Sequence, residues 1–172
     1  MHKSVIPKKN LIPEKLFESI QRNMPIVTVD LLIVRNESNL DTTEILLIKR
    51  NIYPEIGKWC LVGGRILKGE SFRDAINRQV DREFGTTAKI LKPWSYDTPI
   101  AINNNPHADV QKHYVSMLFP LLLTGTIHCS SGPEWSEAKW FPIKKLPSPL
   151  GFNQKKEIGS ALVRLRQTLR TA

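Results

Sequence analysis

Cysteine is nearly missing from this 172-residue chain: Cys60 and Cys129 stand far apart, with no CxxC pair and no Cys/His cluster at zinc spacing. A disulfide framework and a zinc module are both excluded. Long apolar runs are missing as well. The most apolar stretch, Val115 to Leu123, is too short for a bilayer and contains Pro120, and the first 25 residues hold no signal-type apolar segment. A cytoplasmic location without a membrane partner is the expectation. Acidic residues are scarce, 16 Asp and Glu against 25 Lys and Arg, so the net charge of +9 favours anionic partners. The basic residues are nevertheless scattered, forming only doublets such as Lys8-Lys9, Lys144-Lys145 and Lys155-Lys156. With no recognition helix, RNP-type aromatic motif or basic tail, nucleic acid is not the expected partner.

What is present is an ordinary globular composition, 41% hydrophobic and 24% charged, at a length that suits one domain. Pro13 opens an amphipathic stretch to Arg22 with Leu16, Phe17 and Ile20 on one face, which predicts a short helix. Ile26 to Val34 and Glu44 to Lys49 read as a strand hairpin, Asn51 to Lys58 as a loop, and Trp59 to Val62 as a strand ending at Gly63-Gly64. Ser71, with Asp74 three residues on, predicts an N-capped helix to Phe84. Phe72, Ala75, Ile76, Val80 and Phe84 form its buried stripe, and Gly85 its cap. Strands are expected at Ala88 to Lys92, Tyr114 to Leu123 and Lys139 to Pro142, a polar loop at Ile102 to Lys112, and a final helix at Gln154 to Arg170.

The chemistry-bearing stretch runs from Gly64 to Gly85. A glycine-rich loop precedes a helix on which Gln79 and Glu83, four apart, share one face beside the apolar stripe. A carboxylate there, with loop carbonyls, suits a hard cation such as Mg²⁺ or Mn²⁺, which takes oxygen ligands, water and substrate phosphate. Singly, each of these residues also has an ordinary reading: Glu83 as a solvated helix carboxylate, Arg78 as an ion-pair partner, the glycines as a turn.

Jointly, their spacing resembles the Nudix box, GX5EX7REUXEEXGU with U aliphatic: Gly64, Glu70, Arg78, Val80, Glu83 and Gly85 match, six of its nine specified positions. The resemblance implies an α/β/α sandwich around a mixed sheet, with residues 25–172 as the domain and 1–24 as an extension. Gln79 and Arg82 replace two of the box's glutamates. That loss, together with an added cation, disfavours a cluster of several metals, and one cation is the most expected.

The same two departures are similar to the GDP-mannose mannosyl hydrolase branch, as are Pro25, Asp30, Lys49-Arg50, Gly57, Trp59, Gly63-Gly64-Arg65 and His113-Tyr114-Val115. This resemblance implies a Mg²⁺-dependent hydrolase of a nucleoside diphosphate sugar. Water would attack the anomeric carbon and release an intact nucleoside diphosphate. It further implies that the Gly63 carbonyl and Glu83 ligate the cation, that Arg50 and Arg65 contact phosphate with help from Tyr114, that Asp30 holds the sugar or organises the site, and that the protein is a homodimer. Leu11, Ile12, Leu16, Phe17 and Ile20 supply apolar surface for such a dimer, or for folding back onto the domain.

Where the branch carries a Gln-His pair, this chain has Glu134-Trp135. Glu134 can ligate the cation. Trp135 cannot take a proton and either stacks on a base or sugar or plugs the core. Of the histidines, His2 and His128 have no supporting pattern, and His107, near Asp109 in the polar loop, is an outside candidate for the base. Two other readings stand beside the sugar hydrolase: a general Nudix pyrophosphatase, and a nucleotide-sugar binding module without turnover.

Overall fold

The computed structural model describes residues 12–36, 39, 41–92, 94–109, 112–124, 127 and 134–171, with the backbone alone at 107–109, 112 and 168–171. Helix α1 (Glu14–Asn23) leads into β1 (Ile26–Arg35), β2 (Glu44–Arg50), β3 (Trp59–Cys60) and β4 (Val62–Arg65). Helix α2 (Phe72–Phe84) follows, then β5 (Ala88–Ile90), β6 (Ala101–Asp109), β7 (Lys112–Leu123), β8 (Trp135–Pro142), a 3₁₀ turn (Gly151–Asn153) and α3 (Gln154–Thr171).

β1 is the hub of a mixed eight-stranded sheet. It runs parallel to β7 from Ile26↔Tyr114 to Ile33↔Leu121 and antiparallel to β4 through Thr28↔Arg65 to Leu31↔Val62, and it meets β2 only at its far end, Val34↔Ile45. β2 in turn carries β3 and β8. The sheet is therefore split beside β1, with β4 and β2 sharing one edge, and the split opens a cleft.

Alternation along β1 decides what faces each helix. Val29, Leu31 and Ile33 pack with Ala75, Ile76, Val80 and Phe84 of α2, whereas Leu32 and Val34 pack with Ile158, Ala161, Leu162 and Leu165 of α3. By the same parity Thr28 and Asp30 share the α3 face. The apolar stripe of α2 is buried except for half-buried Phe72. Its ends are as the sequence predicts: Ser71 and Asp74 form a reciprocal capping box, and Gly85 takes the left-handed cap. Truncating Ile76, fully buried here, to alanine would cost about 2–5 kcal/mol.

Two strand expectations need correction. Gly63-Gly64 does not end a strand but lies within β4, because main-chain pairing with Val29 and Asp30 continues through both glycines. The stretch from 102 to 109 is not a loop: β6 occupies Ala101–Asp109 and pairs with β7 from Ala101↔Leu118 to Asp109↔Lys112, while 110 and 111 lie outside the described residues. It is a sheet edge, where polar side chains and Pro106 are tolerated, and polar composition by itself could not tell the two apart. No helix among the described residues is long and apolar enough to cross a membrane.

Candidate functional site

A cavity of about 450 Å³ opens at the split in the sheet, within the range of small-molecule sites. Asp30, Arg50, Gly63, Arg65, Tyr114 and Glu134, all selected from the sequence, line it together. The two glycines let its walls approach. A Cβ on Gly63 would fall 2.2 Å from Asp30 Oδ1, and one on Gly64 would fall 2.1 Å from Gln79 Nε2. Any side chain there would displace the groups that shape the cavity.

One end of the cavity is cationic. A register shift at Lys49/Arg50 in the β2–β8 ladder turns Arg50 inward, where its Nε donates to Pro54 O at 2.9 Å and its Nη1 lies 3.6 Å from Glu134. Arg65 stacks over the Phe17 ring of α1 at 4.0 Å and has no carboxylate partner among the described residues. Burial pushes its pKa down, and the charges of Arg78 and Arg82 push it the same way, so an arriving anion would relieve a real electrostatic cost. Arg78 does different work. It donates to both oxygens of Glu70, at 2.5 and 2.7 Å, and to Arg65 O at 3.0 Å, tying the loop that carries Glu70 to the end of β4 at Arg65. Burial acts to raise the pKa of Glu70, but the Arg78 hydrogen bonds and the Leu67 N–H outweigh it and hold the group below its ordinary value.

The box glutamate is less open than the sequence implies. Glu83 is buried just behind the cavity wall, with Oε1 held by Arg82 and Oε2 accepting the Trp135 indole N–H at 2.7 Å. Arg82 Nη2 also lies 3.7 Å from Glu134, so the two carboxylates converge on a point now held by a guanidinium. Beside it Gln79, buried and lining the cavity, has an Oε1 without a hydrogen-bond partner. Two carboxylates and an unpartnered amide oxygen fit one hard cation, provided that it takes the place of Arg82, whose side chain is 36% exposed. They do not fit a cluster of several.

Trp135 does not stack on a ligand. It is fully buried, packs 5.9 Å from Phe84 and is missing from the cavity lining, so the core-plug alternative is the one realised. Trp135 opens β8 with its large apolar ring buried in the core, whereas Glu134, just ahead of the strand, lines the cavity. The side chain of His107 lies outside the described residues, as do His2, His128 and Leu11.

The other end of the cavity is acidic, and half of it escaped sequence reasoning. Ser116 and Gln154 lie beside Asp30 and act to lower its pKa, and Gln154 Oε1 accepts the Leu61 N–H at 2.9 Å. Glu157, one turn along α3, is buried, takes a long 3.4 Å hydrogen bond from Asn103, and leaves Oε1 without a partner. Neither acid has an ion-pair partner among the described residues. Burial pushes Asp30 up to about 6, against the Ser116 and Gln154 hydrogen bonds, and pushes Glu157 up to about 8, with the Asp30 charge adding to it. The missed signal was present in the sequence: Gln154 and Glu157 continue the buried face of α3, spaced i, i+3 ahead of Ile158.

Comparison with known proteins agrees with the fold. The NUDIX domain matches residues 24–162. An ADP-ribose pyrophosphatase of Methanocaldococcus jannaschii is 29% identical over 156 residues, 91% of this chain and 81% of that protein. The low-salt glycan biosynthesis protein Agl8 of Haloferax volcanii is 30% identical over 112 residues, 65% of this chain and 68% of its own. The crystal structure of a MutT NUDIX hydrolase from Burkholderia pseudomallei superposes with a TM-score of 0.63 at 25% identity, covering 83% of this chain and 98% of that one.

Proposed function

The chain belongs to the NUDIX family, and from that premise we propose that it is a hydrolase of nucleoside diphosphate sugars of the GDP-mannose kind. It releases an intact nucleoside diphosphate and the free sugar. Residues 25–172 form the hydrolase domain in this reading, and 1–24 an extension. The observation that carries it is Arg82, whose guanidinium lies between Glu83 and Glu134 where an attack on phosphorus would need several cations. Cleavage of the C–O bond asks less of the site. Water adds to the anomeric carbon and gives up one proton to solvent, the bond to the β-phosphate oxygen breaks, and the negative charge that develops on the departing pyrophosphate falls to Arg50 and Arg65. The planar guanidinium forks suit those oxygens, and Arg65, stacked on Phe17, is oriented before the ligand arrives. Tyr114 lines the same wall and adds a polar contact.

A single Mg²⁺ or Mn²⁺, when bound, would neutralise leaving-group charge, held by Glu83, Glu134, Gln79 Oε1 and the Gly63 carbonyl. A glycan-related substrate is in keeping with the name of the Haloferax volcanii relative. The ADP-ribose pyrophosphatase relative favours a second reading, cleavage between the phosphates of a nucleoside diphosphate derivative. Turnover in ¹⁸O-water with GDP-mannose, UDP-glucose and ADP-ribose separates the two. Label in the sugar, with nucleoside diphosphate as product, is expected. Label in phosphate, with nucleoside monophosphate as product, would establish the second reading, and no product with any of the three would leave a binding module.

A further inference from the structure

The cavity is electrically divided. Arg50, Arg65 and Arg82 form one group of lining residues, two of them sharing Glu134, and Asp30 and Glu157 form another, with no cation paired to either acid among the described residues. An anionic group would be repelled from the acidic end, so a ligand filling the whole cavity presents phosphate to the arginines and an uncharged, hydrogen-bonding part to the acids. Glu157 adds a specific demand. It is buried at 6% exposure, it lines the cavity, and its Oε1 has no partner. A polar atom so placed costs free energy unless something from the cavity completes it.

The geometry points to a hydroxyl-reading subsite, made by Glu157 and Asp30 with Gln154, Ser116 and Asn103, that binds the sugar of a nucleoside diphosphate sugar through its vicinal hydroxyls. This rests on the nucleoside diphosphate sugar reading above and extends it to residues of α3. Each sugar hydroxyl donates one hydrogen bond and accepts at its oxygen, so two neighbouring hydroxyls can satisfy a carboxylate and a carboxylic acid side by side, which a fully ionised phosphate, an acceptor only, cannot. Ser116 and Gln154 orient Asp30 from β7 and α3, and Asn103 of β6 braces the other oxygen of Glu157. Three elements distant in sequence therefore hold the two acids facing one ligand position.

Calorimetric titration in EDTA tests this, using GDP-mannose, UDP-glucose and ADP-ribose against GDP, UDP and ADP. For at least one pair, the wild-type protein is expected to bind the sugar conjugate roughly tenfold tighter than the matching diphosphate, because a buried site built for hydroxyls is left unpaired without them. Glu157→Leu should erase that difference while leaving the diphosphate affinity in place, and Glu157→Gln, which keeps shape and hydrogen bonding, should retain it. Asp30→Ala, which removes the hydrogen-bonding group, gives a second route to the same loss if Glu157→Leu does not fold, with thermal unfolding as the check. Equal weakening of sugar conjugate and diphosphate, an unchanged difference in Glu157→Leu, or a wild-type protein without any preference would each overturn the subsite while diphosphate binding stood. Failure of the wild-type protein to bind any of the diphosphates, with Mg²⁺ as well as in EDTA, would overturn the functional reading, and the subsite with it.

Discussion

Replacing Glu157 by glutamine should stabilise the protein in alkaline solution and do little in acid. Burial first, and the Asp30 charge second, raise the pKa of Glu157 from 4.5 to about 8 in the folded chain. The native state thus holds a proton that the unfolded chain has already lost, and stability falls as pH climbs from about 4.5 through about 8. At about 1.4 kcal/mol per pH unit, the ceiling on that loss is about 5 kcal/mol. Side-chain relaxation and water entering the open cavity reduce it to an expected ~2 kcal/mol. Glutamine never ionises and has nearly the same shape, so it escapes the penalty. For a chain of this length ~2 kcal/mol is about 4–8 °C in Tm. Thermal unfolding of both proteins at pH 5 and pH 9 reads the effect directly. Glu157→Gln should match wild type at pH 5 and melt several degrees higher at pH 9. A Tm difference that is the same at both pH values, or a variant less stable at pH 9, would show that Glu157 ionises freely and that the acidic end of the cavity is well solvated.

Arg82→Ala should tighten Mg²⁺ binding severalfold by calorimetry, because it removes the cation between Glu83 and Glu134, and Glu83→Gln should abolish Mg²⁺-dependent stabilisation by ligand. Unaltered metal affinity in both would refute the assignment. Trp135→Phe should cost about 1–3 kcal/mol in urea unfolding, since Glu83 Oε2 loses its buried indole donor; a cost below ~0.5 kcal/mol would count against that hydrogen bond. We propose that the chain is a homodimer built on α1, which buries none of its own residues and leaves Leu16 53% exposed. Sedimentation should give a dimer at micromolar concentration, and a monomeric mass would exclude it.

The parts of the fold legible in the sequence are those written by local rules. Helix α2 was readable from its capping pair, its i, i+3, i+4 stripe and its terminal glycine, because each is a short-range steric or hydrogen-bonding requirement. The cationic half of the site was readable for the same reason, since Gly63, Gly64, Arg65, Gln79 and Glu83 lie within one strand–loop–helix unit. Strand β6 was not readable. Its polar residues match a loop as well as a sheet edge, and only pairing with β7 distinguishes the two.

The residue types at the site, the missing carboxylates at 79 and 82, and the periodicities that set which side chains share a face were determined by the sequence alone. Which face met which partner was decided by the tertiary structure. The parity of β1 places Asp30 toward α3, and only the packing of α3 across the sheet brings Glu157 to the same cavity from far along the chain. Trp135 was equally undecided until β8 paired with β2, when burial of its large apolar ring outweighed any gain from stacking on a ligand. Glu83 likewise had an open carboxylate on paper and a doubly held one in the fold, because its two partners, Arg82 and Trp135, are assembled by the helix and by a distant strand. Local patterns specify what each segment can present; contacts between segments remote in sequence decide what it meets, since burial and hydrogen-bond satisfaction are properties of the whole packing.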